Sequence, residues 1–287
     1  MRLATRVVGL TVLCAAPAAA QTADQHWQLA LGNYALSAVA QFAGKVTRGQ
    51  NVGHAARSAA VQALLPTGLQ HAGMTLLGQT WHLALPAQAL VQKGAMLQRR
   101  SMLDQSQLDG FWTSWELDYL WLNLRVDRGR VRVPRINVET VRAALTVRHP
   151  TPTRLDWGRS LTTGVLTRLA DRLSHGTWGQ EAAQLVDLNR YVMSRTSSGP
   201  DDADAVYRHE LQHTLQSIRS AALVDVVLRQ DAAQTRPLGI LRLNPGVLSP
   251  GRVQALLASD GAPAHDHSFD EWEADAYAGR TRRSFGW

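Results

Sequence analysis

The run His209-Glu210-Leu211-Gln212-His213 carries the most specific chemistry in this sequence. On a helix, His209 and His213 stand one above the other, so both imidazoles can reach one metal ion. Glu210 projects beside them, placed to touch a water on that ion rather than the ion itself. With ten His and six Glu in 287 residues, chance rarely assembles such a run. Val206, Leu211, Leu215 and Ile218 supply apolar positions to anchor the helix in a core. Two imidazoles do not complete a zinc site; a third protein ligand is needed, plus an open position for water. The extended pattern with a further His six residues on fails, because position 219 is Arg and position 216 is Gln.

The third ligand is sought in Phe269-Asp270-Glu271-Trp272-Glu273-Ala274-Asp275-Ala276-Tyr277-Ala278. Read as a helix, this segment puts Glu271, Ala274, Asp275 and Ala278 on one face. Glu271 is the leading zinc ligand, and the small alanines permit close approach of a second helix. Glu273 is the alternative third ligand. Asp275, one turn beyond Glu271, can accept a hydrogen bond from a ligating His and fix its tautomer. Glu210, Glu271 and Glu273 are three of the six glutamates in the chain, a concentration that favours a site. His265 and His267 precede the helix in a Gly- and Pro-containing stretch and fit capping or oxyanion stabilisation better than ligation. Tyr191, Tyr207 and Tyr277 are further candidates for that role.

The motif His209-Glu210-Leu211-x-His213 followed by Glu271-x-x-Ala274-Asp275 resembles the gluzincin type of zinc metallopeptidase. Its form is similar to that of the CAAX-prenyl-protease-like peptidases and related bacterial HELxHxxQ proteins. The resemblance covers residues 190 to 280. It implies a zincin-like core, with His209, His213 and Glu271 binding Zn2+, Glu210 as the catalytic general base, Asp275 in support, and a peptide or protein as substrate. The second reading is a non-catalytic envelope or membrane-associated protein in which zinc is structural.

These residues must be positioned by the rest of the chain. Arg2 and Arg6, the apolar run from Val7 to Cys14 and the small residues Ala15 to Ala20 have the form of a signal peptide over residues 1–20, which predicts export to the periplasm, envelope or exterior. Cleavage after Ala20 removes Cys14, the only cysteine, so any metal must be held by His, Asp or Glu. Residues 21–110 are rich in Gly and Ala, and no charged residue occurs from Ser58 to Gln92. Polar interruptions such as Gln62, His71, Gln79 and His82 favour packed short helices over a membrane hairpin, and peripheral contact with a membrane or the envelope is a possible role for this region. From residue 111 to 287 the pattern predicts an α+β domain. Trp115 to Val126 alternates at strand period and reads as one strand buried on both sides. Asp127-Arg128-Gly129 reads as a hairpin turn, with a half-exposed return strand through Val131 and Val133. Residues 137 to 148 fit helix or strand, Leu161 to Leu173 a helix, and Leu185 to Met193 a strand. The net charge is +7, but the arginines are scattered among acidic residues, so no nucleic-acid partner is expected.

Overall fold

Alanine-rich sequence with few β-branched residues favours helix, and the first third of the chain follows that preference. The helices are α1 (Ala23–Val46), α2 (Val52–Gln62), α3 (Leu64–Gln79), α4 (Ala84–Met102) and α5 (Gln107–Thr113). Asn51 caps α2 by accepting from the N–H groups of Gly53 and His54, and Ser106 caps α5 by accepting from that of Asp109. The structure, a computed structural model, describes residues 23–137, 153–170, 190–194, 200–227, 241–242 and 269–279. Residues 1–20, read from the sequence as a signal peptide, residues 138–148, and His265 and His267 lie outside the described residues.

The N-terminal helices are packed as expected, although α1 and α4 are 24 and 19 residues long rather than short. No described helix is long and apolar enough to cross a membrane. Glycines set the closest crossing: a Cβ at Gly73 would sit 2.6 Å from the Ala87 carbonyl oxygen, and one at Gly94 2.6 Å from that of Pro66. On α1 the usual polarity is reversed. Asn33, Ser37, Gln41 and Lys45 recur every four residues and are buried, while Trp27, Leu31 and Val39 face outward. The interior they meet is polar too: the Lys45 ammonium donates to the Ser101 carbonyl oxygen at 2.7 Å.

The expected single strand is a hairpin. β1 (Ser114–Tyr119) pairs antiparallel with β2 (Leu122–Asp127), and Leu120 takes a left-handed conformation (φ 54°) at the reversal. A run of alternating residues does not reveal a turn that lacks Gly, Asn or Pro. Nor is the ribbon apolar on both faces. Trp115, Trp121 and Leu124 are exposed, whereas Glu116, Asp118 and Asn123 are buried. Glu116 is gripped by Arg99 of α4 and by Arg135 at 3.2 Å, so charge pairing decides which face turns inward. The turn at Asp127-Arg128-Gly129 forms as expected, with positive φ at Arg128 and Gly129. The return strand is the short β3 (Arg130–Val131), with Val131 and Val133 largely exposed rather than half-exposed. β4 (Arg135–Asn137) pairs with β2 on one side and, in parallel, with β8 (Leu241–Arg242) on the other.

A second sheet has the order β5 (Thr153–Leu155), β6 (Leu166–Ala170), β7 (Arg190–Ser194). The helix expected over Leu161 to Leu173 is corrected: α6 (Trp157–Thr163) ends at Gly164, whose φ of 71° breaks the helix, and β6 follows. Among the described residues the chain is thus mixed helix and sheet, and mostly helical. α7 (Pro200–Val227) and α8 (Phe269–Ala278) complete the described α-helices. One hydrophobic core joins them to the N-terminal helices, with Met74, Leu77 and Val91 meeting Leu211, Leu215, Ile218 and Tyr277.

Candidate metal centre

α7 presents its stripe His209, His213, Gln216 and Arg219 because its opposite positions are fastened elsewhere. Leu211, Leu215 and Ile218 lie in the core, as their apolar character predicts. Arg208 donates to the Gly78 carbonyl oxygen at 2.5 Å and Gln212 donates to that of Met74 at 2.8 Å. These bonds fix the rotation of α7 on α3. Asp270 and Glu271 stand in the first turn of α8, where acidic side chains suit the helix dipole.

The two helices bring His209, His213 and Glu271 together across 58 residues of sequence or more. Nε2 of His209 and Nε2 of His213 are 3.1 Å apart. Each lies 3.2 Å from its own oxygen of the Glu271 carboxylate. Ligands about 2.0–2.1 Å from a tetrahedral zinc stand roughly 3.3 Å from one another, so this triangle has the dimensions of a ligand face. Taking one atom from each residue, the three stay within 4.8 Å of one another. This buried group can hold a metal ion. Asp275 Oδ1 is 2.8 Å from Nδ1 of His209, on the side of the ring away from Glu271. Glu210 Oε1 is 4.0 Å from His209 Nε2, beside the triangle and not part of it. His213 is the side of the group that solvent reaches, at 12 % exposure against 1 % for His209.

The electrostatics favour a cation. Glu210, Asp270, Glu271, Glu273 and Asp275 are all buried here, and Arg219 pairs with Glu273. Burial pushes the His213 imidazole down, yet the Glu271 charge and hydrogen bond, with Glu210 and Gln216, hold it at about 10. His209 is likewise pushed down by burial and raised on balance by its bonds to Asp275 and Glu271. Burial would raise Glu271, but the charge of His213 and bonds to both imidazoles keep it well below the usual carboxylate range. In the absence of a metal, protons therefore occupy the place that positive charge would take.

The structure separates residues that the sequence left as alternatives. Glu273, the alternative third ligand, points away from the histidines and forms a two-point ion pair with Arg219 at 2.9 and 2.8 Å. Tyr207 is buried with its hydroxyl on Thr167 Oγ1, and the Tyr277 hydroxyl is bonded to Nδ1 of His71, so neither faces the ligand triangle. The side chain of Tyr191 lies outside the described residues. Sequence reasoning noted Gln216 and Arg219 as departures from a longer histidine pattern, with Gln216 at the final position of the HELxHxxQ form. Their spacing after His213, three and six residues, was a usable signal that they share its stripe. No protein-family model, curated protein or solved structure matches the chain.

Proposed function

We propose that this protein is a zinc-dependent hydrolase, a peptidase of the gluzincin type with a zincin-like active core, acting outside the cytoplasm. The observation that carries the reading is the triangle of His209 Nε2, His213 Nε2 and Glu271 with Glu210 beside it. His209, His213 and Glu271 are the residues that would hold Zn2+. When bound, the ion supplies a Lewis acid that polarises a carbonyl and lowers the pKa of water to about 7. Glu210 takes a proton from the attacking water on its carboxylate and returns it to the leaving amine. Asp275 keeps the proton of His209 on Nδ1, leaving Nε2 as the donor atom. His213 is the ligand through which solvent reaches the site.

The test is purified protein assayed for zinc content and for cleavage of a mixed peptide library. Glu210→Gln is expected to keep stoichiometric zinc and lose hydrolysis by about 100-fold or more. His209→Ala is expected to lose both. Full hydrolysis by Glu210→Gln protein would overturn the proposal, and stoichiometric zinc with no hydrolysis in the wild type would make the ion structural.

A further inference from the structure

Gln216, 2 % exposed, has its side-chain amide engaged at both ends. Its Nε2 faces two acceptors that carry no hydrogen: the Asp270 carbonyl oxygen at 2.7 Å and Glu273 Oε2 at 2.9 Å. Only the NH2 end of an amide can satisfy two such acceptors. The Glu273 carboxylate is in turn held in place by both terminal nitrogens of Arg219, and Arg219 donates also to Asn33 of α1. The amide orientation is therefore fixed, and Oε1 must be the atom that lies 2.7 Å from Nδ1 of His213. A carbonyl oxygen pairs with an N–H, so Nδ1 keeps its hydrogen, and Nε2 is the nitrogen whose proton a metal ion would replace. Nε2 is the atom that faces Glu271 and His209.

We infer that Gln216 is a positioning residue that holds His213 in its Nδ1–H tautomer, and that the buried Glu273–Arg219 pair sets Gln216. The inference rests on the metal-site reading above. It gives the two histidines different supports: a carboxylate behind His209 and an oriented amide behind His213. An amide can present either end to an imidazole, so it needs an external reference, and a carboxylate does not. Glu273 is that reference, which accounts for an acidic side chain buried two residues from Glu271 without touching either histidine. Asn33, reaching in from the N-terminal helices, ties the reference to the rest of the fold.

The experiment compares Gln216→Leu with Gln216→Glu in the full chain. Both lose the donor to Glu273 and to the Asp270 carbonyl, but only Gln216→Glu keeps an acceptor for Nδ1–H. Zinc affinity is read by competition with a chromophoric chelator, and thermal melts of the metal-free proteins report folding. Gln216→Leu is expected to bind zinc about 10–100-fold more weakly than wild type, and Gln216→Glu, which keeps the acceptor but sets a second carboxylate beside Glu273, to lose less than Gln216→Leu. Gln216→Met, nearer in shape, replaces Gln216→Leu if that variant does not fold. Wild-type affinity in Gln216→Leu or Gln216→Met would overturn the inference and leave the metal site standing. An equal fall in Gln216→Glu would also overturn it, by making Gln216 a structural bridge. A wild-type chain that takes up no zinc would overturn the metal-site reading and this inference with it.

Discussion

Asp275 Oδ1 lies 2.8 Å from Nδ1 of His209, and Glu271, one turn earlier on the same helix, lies 3.2 Å from Nε2 of that ring. One short helix thus touches both nitrogens of a single imidazole. This follows from i,i+4 spacing on α8 and from the alanines that let α8 approach α7 closely. Ala274 and Ala278 are fully buried at that approach.

Removing the carboxylate behind His209 tests this directly. Asp275→Ala is expected to weaken zinc binding by about 10–100-fold, because the ring loses the acceptor that fixes its tautomer. Chelator competition measures it, and an unchanged affinity would show that Asp275 serves the fold alone.

The titration of the site predicts a pH-dependent stability for the metal-free protein and a stabilisation by zinc that grows with pH. His213 has an ordinary value of 6.5 and is raised to about 10. Its contribution to stability is fully present below about pH 6.5 and is lost as pH rises toward 10. Glu271 is lowered, so its contribution is present above its ordinary 4.5 and is lost as the solution is acidified below that. Metal-free protein should then melt at its highest temperature between these limits and lose stability toward pH 10. Lys93, lowered to about 8 by burial and the nearby Arg100 charge, acts in the opposite sense above that pH, but equally in both forms. The stabilisation by zinc, taken as the difference in melting temperature, should therefore grow as pH rises from 6.5. A difference independent of pH would contradict the exchange of protons for metal.

The Arg219–Glu273 pair is almost wholly buried, with side-chain exposures of 7 % and 0 %. Breaking it leaves a charge without its partner. Arg219→Met or Glu273→Leu alone should destabilise the protein by about 3–5 kcal/mol in urea unfolding. The double variant should recover part of that loss, because the interior then holds neither charge. Additive losses would argue against the pair as a coupled unit.

The α3–α4 crossing predicts a contrast among glycines. Gly94→Ala should destabilise by about 1–3 kcal/mol despite alanine's better helix propensity, since its Cβ would meet the Pro66 carbonyl oxygen at 2.6 Å. Gly53→Ala on α2 meets only Asn51 Oδ1 at 3.4 Å, and should be neutral or stabilising. Thermal melts of the two variants decide it.

The sequence alone determined what is local. The four-residue spacing of His209 and His213 places two imidazoles on one face of any helix that contains them. The Asp127-Arg128-Gly129 turn is equally short-range, set by backbone sterics. The Leu120–Trp121 reversal was not legible, because the turn is imposed by pairing of Trp115 with Val126 rather than by turn residues. Nor was the inward face of β1, where pairing of Glu116 with Arg99 and Arg135 outweighs the exposure of Trp115. In the site itself, Glu271 and Glu273 were both open to the reader of the sequence. They sit two residues apart, on different sides of a helix, so the choice between them is the rotation of α8 about its axis. That rotation is set by Tyr277 and Ala274 in the core and by Arg219 drawing Glu273 inward. These contacts span more than 50 residues of chain, and no local pattern encodes them.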